Sequence, residues 1–201
     1  MATPALVKLK RPSALRGPRA CPLLAPPDTP DVVYEFFAPF AHVEGKYEWC
    51  RIRSPTHGVF DAFILIERAP AVVYVDTDAG ARYLAERYPE VAAVRAAPGS
   101  LRIEERDEGR TVVGTLTARE GPVRAAKMTL QAPVQKPRAV PYGGLGKPVW
   151  GSKRFTCWGV DLVLDAKATG AIEWAEGFTT QLRGEPAIVT LGSFGRIAPL
   201  S

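Results

Sequence analysis

Residues able to do chemistry are thinly spread along this chain, and the patterns that would give them a ready-made role fail one by one. Gly144-Leu145-Gly146-Lys147 has the look of a phosphate loop, yet it lacks the motif's first glycine, and Pro148 stands where a serine or threonine would meet magnesium. His42 and His57 lie near no cysteine in a zinc-ligand spacing, so no metal and no other cofactor is expected. His57, in Ser54-Pro55-Thr56-His57-Gly58, reads as a turn residue between two strands and not as the base of a Ser-His-Asp triad. Cys21, Cys50 and Cys157 are an odd number at wide spacing with no CxxC pair, which predicts reduced thiols and a cytoplasmic protein.

Charge narrows the partners. The net charge of +5 comes from Lys8, Lys10, Arg11, Arg16 and Arg19, all ahead of the first acidic residue, Asp28; the remainder carries 21 basic and 21 acidic side chains. A neutral body offers no phosphate-tracking face, so no nucleic-acid partner is expected. No apolar run is long enough for a membrane helix, so no membrane partner is expected either. Residues 1–30 read as an extended, basic, proline-rich arm, and 31–201 as one domain.

The elements that must position any site are mainly β. Segments 32–37, 47–53, 59–67, 71–76, 100–105, 110–117, 122–131, 154–165, 171–182 and 187–191 are rich in β-branched and aromatic residues and end at Gly, Pro, Asp or Ser. Short polar connections predict consecutive antiparallel hairpins, and so a barrel or sandwich. The run from Phe60 to Ile66 is apolar on nearly both faces, as befits a central strand with a core on one side and a helix or subunit on the other. One helix is expected from Asp78 to Tyr88, with Ala81, Leu84, Ala85 and Tyr88 inward, Thr77 or Asp78 as its cap and Pro89 as its stop. The alternation around Trp158 makes that residue core. Residues 133–153 read as a long irregular loop carrying Tyr142 and Trp150, either a lid over a cavity or a surface or subunit contact.

The order of several short motifs resembles acetoacetate decarboxylase-like proteins. These are Glu44-Gly45-Lys46-Tyr47-Glu48-Trp49, Gly58-Val59-Phe60, Val73-Tyr74-Val75-Asp76-Thr77-Asp78 with its helix, Arg87-Tyr88-Pro89, Val113-Gly114-Thr115-Leu116 and Val123-Arg124-Ala125-Ala126. The resemblance implies a closed or nearly closed, cone-shaped antiparallel β-barrel with one short helix, an apolar cavity for a small molecule, and a homo-oligomer. It also implies a departure: where decarboxylating members place the imine-forming lysine, this chain has Glu90, and a carboxylate cannot form an imine. Lys127, the other lysine inside a predicted strand, is the remaining imine candidate, with a solvent-exposed head as its alternative.

By position Glu35 matches one of the family's cavity carboxylates, and Glu48 lies one residue from the other, where Trp49 stands in strict register. Glu35, between Tyr34 and Phe36, would have a raised pKa in such surroundings and could move a proton near neutrality. The alternative is that Glu35 and Glu48 pair with Arg51 or Arg53. The expected catalytic set is therefore Glu35, Glu48, Glu90 and Tyr47, and the expected substrate contacts are Trp49, Arg51, Tyr88, Lys127, Tyr142 and Trp150. The chemistry expected is acid/base cyclisation, dehydration or isomerisation of a carbonyl or polyene-like molecule. The alternatives are a lipocalin-like binder without turnover and a decarboxylase or aldolase with a relocated lysine.

Overall fold

The computed structural model describes residues 36–43, 46–54, 57–89, 91–148 and 155–199. The expected arm, Glu35, Glu90 and Trp150 lie outside these, as do the side chains of Tyr142 and Trp158. The described chain is mainly β, with strands β1 (Phe36–Val43), β2 (Tyr47–Ser54), β3 (Gly58–Leu65), β4 (Val72–Val75), β5 (Ala92–Arg95), β6 (Arg102–Arg106), β7 (Thr111–Thr117), β8 (Val123–Gln131), β9 (Arg138–Pro148), β10 (Phe155–Trp174) and β11 (Thr179–Pro199). Helix α1 (Asp78–Arg87) joins β4 to β5.

The strands form one sheet in the order β5-β4-β3-β2-β1-β11-β10-β8-β7-β6, with β9 pairing β10 off that path. The sheet curls strongly into a half-barrel that is open, which corrects the expected closed or nearly closed barrel. Two more expectations change. Residues 138–148 of the expected loop are strand β9, and β4-α1-β5 is a parallel crossover among the antiparallel pairs. The expected strand 171–182 is split by the turn at 175–178 between two long strands, β10 and β11, that pair with each other along most of their length.

Side-chain alternation divides β2 and β3 between two cores. On the concave side Tyr47, Trp49, Phe63, Leu65 and Tyr74 join Met128, Leu130 and Ile172 in one buried cluster. On the convex side Cys50, Ile52, Phe60, Ala62, Ile64, Val73 and Val75 pack against Tyr83, Leu84 and Tyr88 of α1 and its end. The expected two-faced packing of 60–66 is seen in β3, but β3 lies third from the β5 end of the sheet, and β1 and β11 hold its centre. Helix α1 is capped by Thr77, whose side chain accepts from Gly80 N at 3.1 Å. Its buried face is turned from the expected one: Tyr83 is inward and Ala85 is exposed.

Where the two ends of the sheet approach, side chains and single amides replace a backbone ladder. Successive amides of Ala96 and Ala97 donate to Val75 O and Thr117 O, each at 2.9 Å, on opposite sides of the gap. Asp61 and Arg51 do the same for β6, since Ile103 N donates to Asp61 Oδ2 at 3.0 Å and Arg51 Nη2 donates to Ile103 O at 3.0 Å. Leu101 N reaches Asp76 Oδ2 at 3.3 Å, and Val123 N reaches Tyr74 Oη at 2.7 Å. These bonds occupy part of an edge that would otherwise be open to pairing with another chain.

Candidate functional site

The hairpin β2–β3 places most of the expected site residues, and its register puts them on different faces. Tyr47 lies opposite Leu65, Trp49 opposite Phe63 and Arg51 opposite Asp61, all on the concave side. Glu48 lies between them in sequence, opposite Ile64 on β3 and His42 on β1, and therefore on the convex side. It is 7% exposed and sits beside Cys50, whose thiol is pushed up well above its ordinary range by burial first and then by the charges of Glu48 and Asp61. Tyr88 is also convex, buried against α1's face of the sheet. The structure thus brings neither Glu48 nor Tyr88 to the side that holds Tyr47.

Trp49 is fully buried and spans the concave core. Its ring centroid lies 4.3 Å from that of Phe63, its Nε1 donates to Met128 Sδ at 3.3 Å, and it lies over Gly114 of β7. Arg51 is held by two bonds to Asp61, 2.6 and 3.0 Å, besides the one to Ile103 O; the hydrogen bond to Asp61 is the first cause that raises its pKa. Lys127 is exposed, between Ala126 and Met128, which point into the core. His57 keeps its turn position and approaches Glu86 at 3.0 Å.

Tyr47 is the one expected catalytic residue described on the concave side. It is 3% exposed, and burial first, then the charges of Glu67 and Glu185, hold its phenol above the ordinary value, with Arg68 pulling the other way. Arg68 lies over the ring of Trp174 at 5.5 Å, and Trp174 stacks on Phe178 at 5.7 Å between ring centroids. At this rim a protonated phenol, two carboxylates and a guanidinium act on one another beside aromatic surface. Glu185 Oε2 is buried and takes no hydrogen bond among the described residues. Glu67, Arg68, Trp174 and Glu185 were not in the expected set. The one local signal was that Glu185, in Gly184-Glu185-Pro186, leads into an apolar run.

The raised values make a prediction with a definite sign. Tyr47, Tyr74 and Cys50 all titrate higher folded than their ordinary values of 10.0, 10.0 and 9.0, and burial is the first cause for each. A group held neutral in the folded chain contributes stability that is complete below its unfolded pKa and lost as pH climbs through its folded one. Urea midpoints should therefore fall from about pH 9 upward. The fall should be shallower in Tyr47→Phe, and an equal slope in that variant would show that its phenol is not held neutral by the fold.

The fold defines a class, a curled mainly β half-barrel with two apolar faces. No family model matches the sequence, and no curated protein sequence matches it. Among solved structures the chain is similar to acetoacetate decarboxylase from Legionella pneumophila subsp. pneumophila str. Philadelphia 1, at 11% identity over 85% of this chain and 86% of that one, with a TM-score of 0.29. That likeness is distant and at the level of fold.

Proposed function

We propose that this chain is a small-molecule enzyme that moves protons on a carbonyl compound at the concave rim, with Tyr47 as the hydrogen-bond donor and Glu185 as the base. The observation that carries the reading is the buried Tyr47 phenol, kept protonated beside Glu67 and Glu185. A phenol that stays neutral can polarise a carbonyl oxygen, and a carboxylate oxygen with no bond of its own can take the proton from the adjacent carbon. The proton returns to the same or a conjugated carbon, so the step is an enolisation or isomerisation without redox change. Imine chemistry finds no support on this side, because Lys127 points outward and Glu90 fills the position the resemblance assigns to lysine.

The reading can be tested before the substrate is known, by following exchange of α-protons of small ketones and β-keto acids into heavy water by NMR. The full chain should accelerate exchange, and Tyr47→Phe and Glu185→Gln should each lower the rate by about 100-fold, the usual size of one acid/base contribution. Exchange at the buffer rate would sink the enzyme reading.

A second reading, a binder without turnover, is favoured by a different observation: Asp61 is bonded to Arg51, and the concave wall around them is apolar. It expects saturable binding of apolar ligands with no exchange.

A further inference from the structure

We propose a second binding site, sharing no lining residue with the Tyr47 rim, in the cleft between the β6–β7 turn and the segment leaving β8, for a zwitterionic α-amino acid with a branched apolar side chain. An open space of ≈ 260 Å³ is lined there by Asp107, Arg110, Thr111, Gln131, Pro133 and Val134. Gln131 ends β8 opposite Lys167 of β10, which lies opposite Pro186 of β11, so the cleft is two strands, about 10 Å, from the backbone beside Glu185.

The turn that shapes the cleft runs through three successive left-handed residues, Asp107 (φ 52°), Glu108 (φ 57°) and Gly109 (φ 84°). Only the glycine adopts that conformation freely, so two side-chain-bearing residues are held in a costly shape. That shape aims polar groups. Thr111 Oγ1, itself in a residue 7% exposed, donates to Asp107 Oδ2 at 2.8 Å, and Arg110 N and Nε both donate to Asp107 O, at 3.2 and 3.1 Å.

What remains unused decides the ligand. Arg110 is anchored through Nε, and its two terminal nitrogens make no hydrogen bond among the described residues; nor do Asp107 Oδ1 and the Gln131 carboxamide. An anion alone would meet the Asp107 carboxylate, and a cation alone would meet the Arg110 guanidinium. A zwitterion satisfies both, with its carboxylate on the Arg110 fork and its ammonium on Asp107 Oδ1. Val134 is 85% exposed, and with Pro133 it forms the apolar wall that a branched side chain would cover. At roughly 30 Å³ of liquid volume per water, the space equals about nine waters, room for an amino acid of leucine size.

Calorimetric titration of the full chain with L-leucine, with isoamylamine and with 4-methylpentanoate tests this. Saturable leucine binding is expected, with each single-charge analogue at least ~10-fold weaker. Arg110→Gln and the cleft-filling Val134→Trp should each weaken leucine by at least ~10-fold while leaving the ligand-free melting temperature within about 2 °C. Either analogue matching leucine would overturn the zwitterion assignment. No saturable leucine binding, or unchanged binding in both variants, would overturn the site.

Discussion

Replacing Trp49 by alanine is expected to cost about 3–5 kcal/mol of unfolding free energy, as deletion of a fully buried aromatic does. The indole touches Phe63 on the next strand and Met128 on the far side of the curl, so its loss loosens contact between parts of the sheet distant in order. Gly114 supplies the complementary test. A Cβ there would lie 2.3 Å from Trp49 Cδ2, a separation that real side chains do not tolerate. Gly114→Ala should therefore destabilise the chain by about 1–3 kcal/mol, and the same change should cost far less in a Trp49→Leu background. Urea denaturation of the four proteins reads the coupling. If the two substitutions simply add, Trp49 does not rest on Gly114. Trp49 was expected to touch substrate; in the structure its indole is fully buried between Phe63 and Met128.

How much of this was legible depends on the range of the interactions involved. Helix α1 could be read because its cap, Thr77, and its stop, Pro89, are local. The strands Phe60–Leu65 and Val123–Gln131 could be read because burial on both or alternate faces leaves a pattern in the residues themselves. β5 could not: Ala92-Ala93-Val94-Arg95 has little β-propensity, and it is a strand because β4 pairs it in parallel. β9 was hidden by Pro141, Pro148 and its glycines; among the described residues it pairs only with β10, an edge position where proline is tolerated. Strand alternation by itself separates Tyr47 from Glu48, so their assignment to one catalytic set ran against a rule visible in the sequence. The partnership of Arg51 was half legible. The register that sets Ser54 opposite Gly58 sets Arg51 opposite Asp61, but nothing local announces Ile103, 42 residues beyond Asp61, as the group they jointly serve.

That three-way contact carries the last expectation. Asp61→Ala should cost about 2–4 kcal/mol, somewhat less than removal of one partner from a fully buried pair, because the Arg51 side chain is 32% exposed. The loss combines a half-buried guanidinium left without its carboxylate and an Ile103 amide left without its acceptor. Asp61→Asn keeps an acceptor for that amide and should lose less. The paired change Arg51→Met with Asp61→Leu, which leaves neither charge behind, should recover part of the deficit. Hydrogen exchange gives the local readout, with the Ile103 amide opening faster in Asp61→Ala than amides of the β7–β8 ladder. A stability unchanged by Asp61→Ala, together with altered ligand affinity, would instead return Arg51 to substrate binding. The distinction matters for the half-barrel as a whole: a sheet with two ends needs something across its gap, and here an ion pair takes the place of a strand.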